Sequence, residues 1–320
     1  MTAPRAVGVH LPYEEVPARV RAWVDDALGS RVVSWVEQVG GMSPGCVTRV
    51  VAEDGGRAFV KAVGTELNPD TPGLFRREIA ALTLLGPGPL WADLHTSYDD
   101  GGWVALLLED VEGRHPDLAD DREMADLLSA TDRLGERLSE LPLPDRRAAD
   151  MFAPGYVDLR AGFVRWRAAV DQLEALPVDL VPEALRRQGD RCRTLADLLL
   201  APFPERLVHW DVRVDNLIRR RDGTIVFVDW GTTALGPAWA DPLLARLERV
   251  ESPWFDTSLG SSAELAAAGD DLVTGWLVAF GSVLAWRSTQ HTADVGLPTL
   301  NEFRRTEARR MLGAAARRLG

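Results

Sequence analysis

At 320 residues, 46% of them hydrophobic and 26% charged, the chain has the make-up of a globular protein of one large or two ordinary domains. A formal net charge of −12 argues against the basic face that nucleic acid or an anionic membrane surface requires. Cys46 and Cys192, the two cysteines, form neither a disulfide framework nor a metal site. The opening Met-Thr-Ala-Pro-Arg lacks the apolar core of a signal peptide. The longest apolar run, Leu272–Trp286, is broken by Thr274, Gly275, Gly281 and Ser282, and reads as a buried helix too short to span a bilayer. The expectation is a cytoplasmic protein.

In chain order, residues 14–28 carry Val16, Val20, Trp23, Val24 and Leu28 at helical spacing. Three strand-like runs follow, 31–39, 46–53 and 57–63. Gly40, Gly41 and Gly45 punctuate the first connection, and Gly55-Gly56 makes the second turn. A glycine-rich turn between the first two strands either lets backbone amides approach phosphate oxygens or serves as an ordinary hairpin. The third strand carries Lys61, the only lysine in the chain. A helix over 73–85 has Phe75, Ile79, Leu82 and Leu85 as its apolar stripe, with Arg76 and Arg77 expected in solvent. Two more strands, 90–98 and 103–109, are joined at Asp99-Asp100-Gly101-Gly102. Trp103–Leu108 reads as a central strand buried on both faces.

Beyond residue 116 the pattern is helical. Segments at 119–141, about 156–175 and about 182–200 are broken by Pro142, Pro144, Pro154, Pro177 and Pro182. Residues 207–231 interrupt them. Two short apolar runs, 214–218 and 225–228, flank Asp222-Gly223, a hairpin turn in which both central residues are expected at positive φ. The hairpin sets His209, Asp211 and Asn216 on its entering loop and Asp229 on its leaving strand. A carboxylate placed to orient a hydroxyl and accept its proton, with a second carboxylate and an amide oxygen placed to hold hard cations, is what phosphoryl transfer needs. After the hairpin, Asp241 either accepts backbone hydrogen bonds from the catalytic loop or caps the helix that begins at Pro242. Residues 251–262 read as a polar loop, followed by helices at about 263–290 and 299–319. Arg304, Arg305, Arg309, Arg310, Arg317 and Arg318 give the last helix a face expected in solvent. Trp239, Trp254 and Trp286 either stack on an acceptor or pack the core.

His-x-Asp, then Asn216 five positions after Asp211, then a strand ending in Asp-Trp-Gly, is the catalytic and metal-binding pattern of the protein-kinase-like fold. In this form the chain resembles the aminoglycoside phosphotransferase and choline kinase-like family, from roughly residue 30 to residue 300 and most strongly over 207–241. Trp210 departs from the glycine most common at that place. The resemblance implies an α+β, two-lobed protein-kinase-like fold: a small antiparallel-sheet N-lobe with one helix over 1–110, and a larger, mostly helical C-lobe over 111–320. It implies an ATP-dependent kinase of a small-molecule hydroxyl, with ATP as donor and Mg²⁺ as cofactor. Asp211 is the implied base, with Asn216 and Asp229 as metal ligands. Lys61 is the implied lysine of the nucleotide phosphates, positioned by Glu78. Gly40, Gly41 and Ser43 belong to the implied phosphate loop. Backbone groups of Glu109, Asp110 and Val111 are implied at the adenine edge, and His209 and Asp241 support the loop. The acidic balance favours a cationic amino sugar or aminoglycoside-like acceptor; amino alcohols, macrolides and homoserine-like molecules fit the same motifs. No peptide-docking Ala-Pro-Glu segment follows Asp229, which argues against a protein kinase. A non-catalytic nucleotide-binding protein of the same fold is the remaining alternative.

Overall fold

The computed structural model describes residues 10–38, 44–290 and 299–320. Gly40, Gly41 and Ser43 lie outside them. After helix α1 (Ala18–Leu28), the strands β1 (Val32–Glu37), β2 (Cys46–Ala52), β3 (Arg57–Gly64), β4 (Leu94–Asp99) and β5 (Trp103–Leu108) form an antiparallel sheet in the order β1-β2-β3-β5-β4. Every residue of β5 is buried, as its unbroken apolar run requires. Val104, Leu106 and Leu108 point to a core shared with Phe75, Leu82 and Leu85 of helix α2 (Thr71–Leu85). Trp103, Ala105 and Leu107 point the other way, to Val20 and Val24 of α1. The period of two on β5 thus decides which helix covers which face.

Helix α3 (Asp121–Ser139) opens the C-terminal region, capped by Asp120, whose carboxylate accepts from the amides of Arg122 and Glu123. Then come β6 (Arg147–Ala148), β7 (Tyr156–Asp158), α4 (Leu159–Val170), α5 (Glu183–Arg187), α6 (Gly189–Asp197), β8 (Arg206–Val208), β9 (Leu217–Arg219), β10 (Ile225–Phe227), β11 (Ala234–Gly236), α7 (Ala240–Leu244), α8 (Pro253–Ser258), α9 (Ala263–Ala268), α10 (Asp270–Arg287) and α11 (Leu300–Leu319). β9 and β10 form the antiparallel hairpin; β6, β7, β11 and β8 form a second small sheet in that order. Helix α10 is apolar on nearly every side and lies in the core against α4, α6 and α11. No helix of the described residues is long and apolar enough to cross a membrane.

Four expectations change. The hairpin turn spans 220–224, closed by the Arg220 amide on the Thr224 carbonyl at 2.8 Å; only Gly223 has positive φ, because this wider loop needs a single left-handed residue. Residues 251–262 are not all loop, since Pro253 starts α8 at its first helical position. Arg76 is half-exposed and paired with Asp99, but Arg77 is buried. The basic side of α11 is not a plainly solvated face. Arg310 reaches the Leu247 carbonyl at 2.8 Å, Arg318 reaches Asp256 at 2.5 Å and Thr274 Oγ1 at 2.9 Å, and Arg305 and Arg309 share Asp179. These guanidinium groups tie α11 to the segments around it.

Candidate active site

Two parts of the chain converge where the sheet meets the hairpin. On β3, Lys61 lies beneath the sheet and almost out of solvent. Its ammonium reaches Glu78 Oε2 of α2 at 2.5 Å and Asp229 Oδ1 at 3.0 Å. Burial opposes the charge, but Asp229 and Glu78 outweigh it and raise the Lys61 pKa above its ordinary value. Burial likewise works against an ionised Asp229, yet Lys61 keeps its carboxyl below the usual range. Glu78 Oε1 also accepts from the Trp230 amide at 3.4 Å, so one buried carboxylate touches both the lysine and the turn after Asp229.

The loop between β8 and β9 supplies the rest. Asp241, at the second position of α7 and not its cap, accepts from the amides of His209 at 2.8 Å and Trp210 at 2.9 Å. His209 is fully buried; its Nε2–H donates to the Val228 carbonyl at 3.1 Å, and its Nδ1 accepts from the Asp211 amide at 3.3 Å. Burial lowers the His209 pKa against the pull of Asp241 and Asp229, which leaves a neutral ring that braces the loop. Asn216 Nδ2 donates to Asp211 Oδ2 at 2.7 Å and to the Asp211 carbonyl at 3.1 Å. Burial pushes the Asp211 carboxyl up to about 6, partly offset by Arg213, with Asp229 and Asp215 adding to the rise. Trp210 and Asp229 are the non-glycine residues with positive φ among the described residues, at 64° and 65°. Backbone strain is therefore placed on both sides of the same site. The left-handed backbone at Trp210 is one that glycine adopts without steric cost.

These residues fit a hard cation. Since Asn216 directs its amide nitrogen at Asp211, its oxygen is the donor left over. The Asp229 side chain is 39% exposed and holds Lys61 through Oδ1 alone. Among the described residues no group of three or more His, Cys, Asp or Glu side chains is arranged to hold a metal ion by itself, so the remaining ligands would be phosphate oxygens and water, as Mg²⁺ usually takes them.

The segment after β5 is partly self-bonded. The Glu109 amide donates to the Asp93 carbonyl at 2.8 Å and the Val111 amide to the Glu109 carbonyl at 3.1 Å. Asp110 turns its buried carboxylate away to Arg49 and Arg57. Of the three tryptophans, Trp239 is buried face to face with Phe163 at 5.8 Å, Trp254 packs beneath Arg249, and Trp286 is exposed.

Sequence reasoning missed two residues. Arg77 donates to four carbonyls, those of Gly155, Ala153, Met151 and Gly231, and so ties α2 to the turn after Asp229. Arg213 pairs with Asp215, lies 4.0 Å from Asp211 and sits over the Phe303 ring. No periodic signal marked Arg77, which lies off the stripe of Phe75, Ile79, Leu82 and Leu85.

Solved structures share this architecture. Aminoglycoside phosphotransferase APH(4)-Ia aligns with a TM-score of 0.63 at 14% identity, over 93% of this chain and 98% of that one. A ternary complex of a thermostable mutant of the same enzyme with ADP and hygromycin B gives 0.59 at 13% identity, over 94% and 99%. The choline kinase LicA from Streptococcus pneumoniae gives 0.51 at 14% identity, over 92% and 98%. At such identities the likeness establishes the fold, which is the two-lobed kinase-like one. No curated protein sequence matches the chain. Residues 47–267, well over half of the chain, match the model of the phosphotransferase enzyme family, and the chain belongs to that family.

Proposed function

We propose that the protein is an ATP-dependent kinase that transfers the γ-phosphoryl group to a hydroxyl of a small molecule. The observation that carries this reading is the convergence of Lys61, Glu78 and Asp229 beside the Asp211–Asn216 pair, from elements far apart in sequence. On this reading residues 1–110 form the nucleotide-binding lobe, and 111–320 carry the catalytic loop and the acceptor site.

Asp211 orients the acceptor hydroxyl and takes its proton as the acceptor oxygen bonds to the γ-phosphorus and the bond to the β-phosphate oxygen breaks. Its Oδ2 is fixed by Asn216, so Oδ1 is the oxygen available to the hydroxyl. Lys61 leaves its contact with Asp229 for the nucleotide phosphates, while Glu78 keeps it in register. Asp229 and the Asn216 oxygen would hold Mg²⁺, which when bound neutralises charge on the β- and γ-phosphate oxygens. His209 and Asp241 hold the loop backbone and transfer no proton. Catalysis on this reading is mainly positioning and charge neutralisation.

The ligands named for the neighbours, hygromycin B with ADP in one and choline in the name of another, support trying aminoglycosides and amino alcohols first as acceptors. The net charge of −12 is in keeping with a cationic one. The test is a coupled ADP-release assay with Mg²⁺ and ATP over amino sugars, aminoglycosides, macrolides and amino alcohols. Acceptor-dependent turnover that disappears in Asp211→Asn is the expected result. Tight binding of Mg²⁺ and ATP by calorimetry, with no turnover on any acceptor, would instead make the protein a non-catalytic nucleotide binder.

A further inference from the structure

We propose that the outer end of the cleft between the sheet and the hairpin is a second anion site, for a small phosphate-bearing ligand distinct from the phosphates served by Lys61. A cavity of about 400 Å³ opens there, a size suited to a small molecule. Its walls come from three places. Arg49 and Arg57 descend from β2 and β3, Arg114 follows the crossing between lobes, and Arg219, Arg220 and Arg221 come from the β9–β10 hairpin. Glu112 is the one carboxylate in the lining.

Five acids pair with five of these arginines: Asp110 with Arg49 and Arg57, Glu112 with Arg57, Glu123 with Arg114, Asp126 with Arg219 and Glu109 with Arg220; of these acids only Glu112 lines the cavity. Arg49 Nε donates to Asp110 at 2.5 Å, Arg220 Nη2 to Glu109 at 2.6 Å, and Arg219 Nη2 to Asp126 at 2.8 Å. Asp110 also receives Arg57, and its own side chain is only 4% exposed. Each guanidinium has five N–H donors. Arg49 and Arg220 each give one of theirs to an acid, and Arg221 has no ion pair among the described residues. For Arg49 and Arg220 a single ion pair fixes the guanidinium and leaves most of its N–H donors unspent, and Arg221 keeps all of its own. Planar, pre-oriented guanidinium forks are suited to phosphate oxygens.

Two features make this a built recess. The Arg114 and Arg219 backbones pair reciprocally, at 3.2 and 2.7 Å, which locks the crossing onto the hairpin. At Gly113 a Cβ would meet the Arg219 carbonyl at 2.6 Å, so only glycine permits that approach. The recess is also separate from the phosphate position. Arg57, Phe59 and Lys61 share one face of β3, and four strand residues place Arg57 about 13 Å along from Lys61. An anion bound here would touch both lobes and favour a fixed closure of the cleft.

Calorimetry on the full chain with Mg²⁺ and AMP-PNP saturating the nucleotide site tests this, with fructose 1,6-bisphosphate and inorganic sulfate as the two probes. One-to-one binding of the bisphosphate is expected. It should weaken with added salt, and by about tenfold in Arg221→Glu. Arg221 is exposed, so that variant should keep its thermal midpoint and its affinity for AMP-PNP. Arg57→Gln should weaken the bisphosphate similarly. Sulfate should bind the same site more weakly and compete with the bisphosphate. The proposal fails if neither probe binds the nucleotide-filled protein, if filling the nucleotide site abolishes binding, or if Arg221→Glu binds as well as the parent.

Discussion

Lys61 Nζ lies 3.0 Å from Asp229 Oδ1, joining β3 to a residue just past the hairpin's second strand. Glu78 holds the same ammonium from the other side at 2.5 Å. The lysine is therefore a positive charge set between two carboxylates, and its loss leaves Glu78 buried without a counter-charge. Lys61→Met should cost about 3–5 kcal/mol at neutral pH, the usual penalty for removing one partner of a buried pair. Without Lys61, burial and Asp229 hold the Glu78 carboxyl above its unfolded value. A raised carboxyl is tolerated below its unfolded pKa and destabilises as pH climbs through the folded one. The stability gap between parent and variant should widen from pH 5 to pH 8 in urea titrations. A gap unchanged with pH would show that Glu78 is not the group left stranded.

Arg77 is a second link between the same elements, made without any carboxylate. It is 4% exposed and bonds four carbonyls, at 2.5 Å to Gly155, 2.6 Å to Ala153, 2.7 Å to Met151 and 3.0 Å to Gly231. Burial lowers its pKa, with Asp150 working the other way. Only a planar fork of donors reaches all four oxygens. Arg77→Lys should therefore destabilise the fold nearly as much as Arg77→Met, by about 3 kcal/mol or more, since several buried carbonyls lose their donors. Denaturant titration of both variants checks this. A lysine variant close to the parent would mean that charge and not shape is what the site requires.

The contrast between these residues shows what the sequence can disclose. Lys61 was legible because it is the only lysine, and Glu78 because it sits within reach on the next helix. Asp211, Asn216 and Asp229 were legible because their spacing repeats a chemical requirement. Arg77 was not, since helical periodicity assigns a charged residue to solvent, and its partners are backbone oxygens some 75 to 150 positions away in the chain. The α11 arginines escaped for the same reason: Asp179, Leu247 and Asp256 lie in separate segments that no periodicity links to the last helix. Period-two and period-3.6 patterns disclose elements and their buried faces. They carry no information about long side chains that cross from one element to the carbonyls of another.

Asp211 should show a conflict between activity and stability. Its carboxyl is raised from 3.8 to about 6, mainly by burial. On the proposed reading Asp211 acts as a base and must be ionised, so turnover should climb with unit slope through about pH 6 and level off above; cations of a bound nucleotide complex can only pull that midpoint down. For folding the sign is opposite. A raised carboxyl costs nothing below its unfolded pKa and destabilises as pH rises through the folded one. Asp211→Asn should abolish turnover while stabilising the protein at pH 8 by at most about 3 kcal/mol, and leave stability unchanged near pH 4. Thermal melts at the two pH values test this. A variant less stable than the parent at pH 8 would show that the carboxylate is a net structural asset.

Trp210 holds a left-handed backbone at φ 64°, which costs a residue with a Cβ about 1–2 kcal/mol. Two things keep it there. Its amide donates to Asp241 Oδ1 at 2.9 Å, and its indole stacks on Trp166 at 5.9 Å with Phe163 at its edge. Replacement by glycine removes both the strain and the ring, whereas replacement by alanine removes the ring and keeps the strain. Stability should therefore fall in the order parent, Trp210→Gly, Trp210→Ala, with the two variants about 1 kcal/mol apart. The Asp241 bonds go to backbone amides, so Trp210→Gly should keep Asp211 in place and retain turnover once an acceptor is known. Denaturant midpoints give the order directly. An alanine variant as stable as the glycine one would mean that the left-handed turn at Trp210 carries no strain.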